Sequence, residues 1–419
     1  MRGGFYDILT AALSRLTQIN IVELKWLIKR GLMQKNPVDV FVFLEVFCSE
    51  GGIQSYVKDV LKTYRFIESR RAEIFILRDR AVTDNFLGSD VLNFHFFQSS
   101  PAFLGRIRLT ISLAWFLLRK RPQRIFCGHI KLGPLIHFLC KILKISYTVL
   151  SYGKEIWDPL TNRYQKVLLE ANEIWTISRY SRDKACAENK LNSEKFKILP
   201  CAVDGDIFTP APKSLKLLEK YHLKNYRVLM TVARLWSGDI YKGVDVTIQA
   251  LPKIAQKVNN VKYLVIGRGD DRTRLEKLAE DLGVRDRVVF AGFVASEELV
   301  EHYRLADVYV MPSQEGFGIV YLEAMACGVP VVAGDADGSA DPLLDGKLGW
   351  RVPHRNPEAL AVACLEALEG KDGRCDGEWL RTEVLKNFSK EAFEGRLKTL
   401  IQQNHDAENT SAGLGGGER

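Results

Sequence analysis

The sequence predicts an α/β protein of two doubly wound parallel sheets facing a central cleft. Three observations predict it. Apolar runs of strand length alternate with helical patterns from Val38 onward, and such alternation builds a parallel sheet covered by helices on both faces. The rhythm lapses between Pro200 and Lys224, where turn residues replace long apolar runs, and then restarts. The chain, at 419 residues, is long enough for two separate cores.

The elements follow in order. Residues 1–37 form an extension before the first strand, and 1–36 read as one or two amphipathic helices of mixed charge. Packing against the domain is one use for them, and a membrane or partner contact is the other. The first unit, 38–205, has strand candidates at Val40–Phe47, Glu73–Leu77, Arg124–Cys127, Tyr147–Leu150 and Ile174–Ile177. The second, 206–385, has them at Val228–Val232, Tyr263–Ile266, Val288–Phe290, Val308–Val310 and Val329–Ala333. Two such units in series leave a cleft where the carboxyl ends of their strands meet. Residues 406–419 are polar and end near the run Gly415-Gly416-Gly417, a composition expected to lack structure.

Composition narrows the class. A 47% hydrophobic and 26% charged chain is ordinary for a soluble globular protein, and no apolar stretch reaches the roughly 20 residues that span a bilayer as a helix. The net charge of +8 is uneven: residues 1–200 hold 31 Lys+Arg against 18 Asp+Glu, the remainder 28 against 33. Residues 101–150 carry nine basic residues and no acidic one, which implies an anionic surface or ligand on that side. An anionic membrane is one such partner and a soluble acidic acceptor another. No nucleic-acid-binding motif is visible. None of the eight cysteines forms a CxxC pair or a metal spacing with His, so buried free thiols and a reducing, cytoplasmic setting are expected.

The most informative stretch runs from Ser313 to Pro330. Val308–Val310 reads as a buried strand, Gly316 and Gly318 make a turn, and a helix starts near Gly318 and stops at Gly328. The start of that helix suits a phosphate. Glu315 lies just outside it and Glu323 one to two turns in, so one carboxylate can hold sugar hydroxyls and the other a ribose. This segment resembles the donor-site signature of glycosyltransferase family 4, the retaining glycosyltransferases of GT-B fold. The resemblance covers roughly residues 38–400, most tightly 228–350.

The resemblance implies a reaction and a set of residues. A hexosyl group would move from a UDP- or GDP-sugar to a glycan or lipid-linked acceptor with retention of configuration. No cofactor is implied. No Asp-x-Asp motif appears in a matching context, so the cations Arg234 and Lys242 would hold the diphosphate in place of a metal. Glu315 would position the donor sugar, with Gly316, Phe317, Gly318 and Ile319 beside it, and Glu323 would bind the ribose. Gly267 belongs to a Gly-x-Gly loop beside the nucleotide, and Phe293 and Val294 to the segment flanking the base. In the first unit, Gly51 and Gly52 follow the first strand in Glu50-Gly51-Gly52-Ile53 and would approach the donor. His129 would touch its sugar.

Two positions depart from the family pattern. Tyr152-Gly153-Lys154-Glu155 stands where His-Gly is usual, which points to Tyr152 as a shaper of acceptor choice, and Asp341 stands where glutamate is common. Residues 386–405 would form the helix that returns to the first domain. Two other readings stay open: a GT-B isomerase acting on UDP-N-acetylhexosamine, and a non-catalytic nucleotide-sugar-binding subunit.

Overall fold

The computed structural model describes residues 38–48, 51–67, 71–80 and 91–413. The expected N-terminal helices, Glu50 and the Gly-rich end lie outside them. The first sheet has seven parallel strands: β1 (Asp39–Phe43), β2 (Ala72–Ile76), β3 (Leu92–Phe96), β4 (Arg124–Cys127), β5 (Ser146–Ser151), β6 (Glu173–Thr176) and β7 (Phe196–Ile198), in the order β3-β2-β1-β4-β5-β6-β7. Its helices are α1 (Gly52–Ile67), α2 (Ala102–Lys120), α3 (Gly133–Leu143), α4 (Asn162–Glu170) and α5 (Arg179–Asn189). The six-stranded second sheet is β8 (Arg227–Val232), β9 (Val261–Ile266), β10 (Val288–Gly292), β11 (Val308–Met311), β12 (Val331–Gly334) and β13 (Gly349–Val352), in the order β10-β9-β8-β11-β12-β13. With it run α6 (Leu215–Lys220), α7 (Val244–Lys257), α8 (Arg272–Asp281), α9 (Leu299–Tyr303), α10 (Ile319–Ala326), α11 (Pro357–Glu369), α12 (Gly377–Phe388) and α13 (Lys390–Gly413).

Strand alternation divides the core. Val40 and Val42 face α2 and α3 with Leu109, Leu113, Leu117 and Ile136. Phe41 and Phe43 point the other way, among Val57 and Val60 of α1 and Trp175 of β6. Phe41 stacks on Phe126 with ring centroids 4.5 Å apart.

One expected strand end and one expected helix end move. The run Val40–Phe47 stops pairing at Phe43, because the N–H groups of Val46, Phe47 and Cys48 turn to the Asp79 carboxylate at 2.7, 2.7 and 3.2 Å. The last helix continues through Gly413, past the expected start of the unstructured tail at 406. No glycine or proline interrupts it between Gly395 and Gly413, so nothing breaks the helix earlier.

The last helix packs on α1 of the first sheet. A buried ion pair pins it there. Arg124 Nη2 lies 2.5 Å from Asp39 Oδ2, Tyr64 donates to the same oxygen at 2.7 Å, and Arg124 Nη1 donates to the Ile401 carbonyl at 3.0 Å.

Candidate active site

Each sheet has a switch point where the strand order reverses, and ligands of open α/β sheets bind outside the strand carboxyl ends there. In the second sheet the switch lies between β8 and β11. The loop after β8 carries Arg234 and Lys242, and the loop after β11 carries Glu315. Gly243 joins them. It has φ 74°, and a Cβ there would come 2.5 Å from the Pro312 carbonyl oxygen, so only glycine lets these loops touch. Gln314 N–H donates to the Tyr241 carbonyl at 3.1 Å beside it.

This contact sets Lys242 Nζ against Glu315 Oε1 as an ion pair, with the side chains only 17% and 18% exposed. Burial works against the Lys242 charge, but Glu315 and Tyr241 outweigh it and hold the ammonium above its ordinary pKa. Asp337 fixes the Glu315 loop. Its carboxylate accepts from the N–H groups of Glu315 and Ser339, both at 2.9 Å, and burial pushes its pKa up to about 6. Arg234 is exposed, 3.0 Å from Asp239 and over the Trp236 ring.

Helix α10 starts after Gly318, at φ 94°, and stops before Gly328, at φ 77°. Its N-terminus presents unpaired N–H groups next to Glu315; Ile319 is its first residue. One turn on, Glu323 accepts from the Tyr303 hydroxyl at 2.6 Å, and burial raises its pKa to about 7.

Packing decides what four of the expected donor-site residues can offer. Phe317 is 1% exposed and meets Phe388 of α12 edge to face, so only its backbone is left for a ligand. Val294 is buried in the core, which likewise leaves its backbone. Phe293 is exposed beneath the Arg268 guanidinium. Gly267 is demanded by packing: at φ 141° a Cβ would fall 1.8 Å from the Ala233 carbonyl oxygen. Around it, Ala233 N–H donates to Ile266 O at 2.9 Å and Leu235 N–H to Arg268 O at 3.0 Å. The loop therefore braces the Arg234 segment.

The first sheet switches between β1 and β4. Gly51 and Gly52 follow β1 and open α1, and a Cβ on Gly52 would meet nothing within 4 Å. His129 follows β4. Its Nδ1 accepts from Lys131 N–H at 3.1 Å, which leaves Nε2 as the protonated nitrogen of a neutral ring. Burial, then Lys131 and Arg78, lower its pKa to about 4. Among the described residues no contact joins His129 to the Lys242–Glu315 pair.

Tyr152 is buried and its hydroxyl donates to the Gly128 carbonyl at 2.8 Å. That contact props the β4 loop. Glu155 accepts from the Tyr152 N–H. The loop so pinned crosses the cleft. A Cβ on Gly316 would come 2.6 Å from the Tyr152 carbonyl oxygen, and one on Gly153 would come 3.3 Å from Gly316 Cα. Nearby, Asp341 accepts from Arg179 N–H at 2.6 Å and pairs with its guanidinium, while Asp345 takes Arg179 Nη2 at 2.8 Å. The aspartate found where glutamate is common thus ties the second sheet to α5 of the first.

No sequence pattern marks Lys154, Glu155, Tyr241, Tyr303, Asp79 or Asp337 as site residues. Lys154 and Glu155 lie in the stretch Tyr152-Gly153-Lys154-Glu155, whereas the two aspartates act through backbone N–H groups that no side-chain pattern announces.

The family model for glycosyl transferases group 1 matches residues 226–370. The chain is 37% identical to the GDP-mannose-dependent alpha-(1-6)-phosphatidylinositol monomannoside mannosyltransferase of Mycolicibacterium smegmatis, over 61% of this chain and 70% of that protein. It is 26% identical to the Corynebacterium glutamicum GDP-mannose-dependent monoacylated alpha-(1-6)-phosphatidylinositol monomannoside mannosyltransferase, over 84% and 94%. Among solved structures, Anabaena HepE in complex with UDP superposes with a TM-score of 0.71 at 20% identity, over 87% of this chain and 99% of that one. Sucrose-phosphate synthase of Thermosynechococcus elongatus gives 0.68 at 20% identity, over 89% and 100%. Both carry the two-sheet GT-B arrangement described above.

Proposed function

The chain belongs to the group 1 glycosyltransferases of GT-B fold, and on that premise we propose that it transfers a mannosyl group from GDP-mannose to a phosphatidylinositol-type glycolipid, with retention and without a divalent metal. One observation carries the reading: Lys242 and Glu315 are paired at the switch point of the second sheet, against loops of the first. The names of the mycobacterial and corynebacterial relatives support the donor and the acceptor class.

The chemistry follows from the charges. Breaking the bond between the anomeric carbon and the phosphate oxygen leaves negative charge on the diphosphate, and fixed cations there lower the barrier. Lys242 and Arg234 supply them, with the N-terminus of α10. A donor seated at the pair exchanges it for an ammonium–phosphate contact and a carboxylate–hydroxyl contact, so Glu315 holds the sugar as its bond breaks. His129, neutral with Nε2–H, donates to a sugar hydroxyl, and ionised Glu323 takes the ribose. The acceptor hydroxyl attacks from the face the diphosphate leaves, and its proton goes to the departing phosphate oxygen.

The test offers GDP-mannose, UDP-glucose and UDP-N-acetylglucosamine with vesicles containing phosphatidylinositol and its mannosides, in EDTA. Mass spectrometry reads the product and NMR its anomeric configuration. An α-mannosylated lipid from GDP-mannose is expected, with turnover at least about a hundredfold lower in Lys242→Ala. Hydrolysis or interconversion of free donors without lipid product would overturn the proposal, and loss of transfer on chelation would overturn its metal-free part.

A further inference from the structure

Lys154 is a cation in this cleft that the proposed chemistry has not used. It reaches over from the first sheet, on the short turn Lys154–Ile156 after β5. Its Nζ lies 2.8 Å from the centroid of the Tyr241 ring, and Lys242 Nζ lies 5.3 Å from the same centroid. Two ammonium groups thus gather around one ring. Glu315 already pairs with Lys242, and among the described residues no carboxylate pairs with Lys154.

The placement is built. Glu155 accepts the Tyr152 N–H and holds the turn, and Gly153 and Gly316 let it lie backbone to backbone on the Glu315 loop. Burial lowers the Lys154 pKa, Lys242 and Arg234 lower it further, and Glu315 and Asp239 pull against them. An anion arriving between the two lysines relieves that repulsion.

The geometry points to Lys154 as a phosphate-binding residue supplied by the first domain, one that leaves the Tyr241 ring for the oxygens of a nucleoside diphosphate held by Lys242. A cation over an aromatic face at a partly exposed site is a weak contact. A charge-assisted hydrogen bond to phosphate is stronger, so the diphosphate wins the lysine. Donor binding then carries its own link across the cleft. The inference rests on the reading of Lys242 as the diphosphate site.

Calorimetry of the full chain with GDP, GMP, UDP and UMP tests it, on wild type, Lys154→Met, Lys154→Gln, Lys154→Arg and Lys242→Ala. Lys154 is only partly buried, so the replacements should melt as wild type does. Lys154→Met and Lys154→Gln are expected to weaken the diphosphates about tenfold and the monophosphates far less, and Lys154→Arg to restore most of the loss. A role in loop shape alone would weaken both nucleotide classes equally, and that result would overturn the inference. So would an unchanged diphosphate preference in Lys154→Met and Lys154→Gln while Lys242→Ala loses it. If Lys242→Ala keeps the preference, or wild type binds neither diphosphate, the reading beneath falls and the inference with it.

Discussion

Burial sets the behaviour of single carboxylates here, and Glu323 is the case with a measurable consequence. Its pKa is raised to about 7, by burial first, with the Tyr303 hydroxyl pulling the other way. A carboxyl raised in the folded state stabilises the fold while protonated in both states, below its unfolded value. That contribution is lost as pH rises through the folded value. The window therefore runs from about 4.5 to 7, and stability should fall across it. Glu323→Gln removes the titration and keeps an acceptor for Tyr303. It should match wild type near pH 4 and exceed it at pH 8 by about 3 kcal/mol, read by denaturant unfolding at both pH values. The same variant should bind nucleotide more weakly at pH 8, because the ribose hydroxyls lose an ionised acceptor. A wild type whose stability is flat from pH 4 to 8 would refute the assignment. Glu315 differs in kind, since it is held in an ion pair and its loop is fixed by Asp337.

Loops packed backbone to backbone assemble this site, and glycine makes them possible. Gly267→Ala would drive a methyl into the Ala233 carbonyl at a φ of 141°, and should cost about 3 kcal/mol. Gly238 lies in the segment between Arg234 and Lys242, where an added Cβ meets nothing within 4 Å; Gly238→Ala should be neutral or slightly stabilising. Equal melting temperatures for the two variants would mean that the brace around Arg234 is not needed. The same contrast explains what the sequence revealed. The interior strands were legible because burial on both faces writes continuous apolar runs. The strands that went unread, β3, β7 and β13, all lie at sheet edges. They are short or mixed, as in Leu92-Asn93-Phe94-His95-Phe96, where only Leu92 is fully buried. At the site, Lys242, Glu315 and the two helix-flanking glycines were legible because glycine and charge recur at telling spacings. Phe317 looked like a ligand contact for the same reason, although its ring belongs to the core. Lys154 carries no such signal, because its importance comes from the partner it meets across the cleft, far away in sequence.

At the scale of the molecule, the surface of α2 decides how a lipid acceptor could be reached. One stripe of this helix, Gly105, Leu109, Leu113 and Leu117, is buried on the first sheet. Another, Leu104, Arg108, Ile111, Trp115 and Arg119, faces outward at the same helical spacing. Ile111 is 63% and Trp115 61% exposed, and the Arg119 guanidinium lies over the Trp115 ring. On neighbouring α3, Phe138 and Ile142 are also exposed, beside Lys141. An apolar stripe edged by cations, in a segment without a single acidic residue between 101 and 150, fits the interface of an anionic bilayer. None of the described helices is long and apolar enough to cross one. Each basic residue near such a surface contributes about 1 kcal/mol, lost as salt rises, while the Ile and Trp contribution persists in salt. The two parts can be separated by sedimentation with vesicles. Wild type should bind vesicles containing phosphatidylinositol or phosphatidylserine at low salt and release them in part at high salt. Arg119→Ser with Lys120→Ser should remove the salt-sensitive part. Arg121 is spared, because it caps the helix at φ 43° and its loss would disturb the turn. Ile111→Ser with Trp115→Ser should remove the salt-resistant part and lower transfer to lipid acceptor while leaving GDP affinity unchanged. If wild type ignores anionic vesicles at low salt, the basic face serves a soluble acidic acceptor, and the acceptor half of the proposed function fails while the donor half stands.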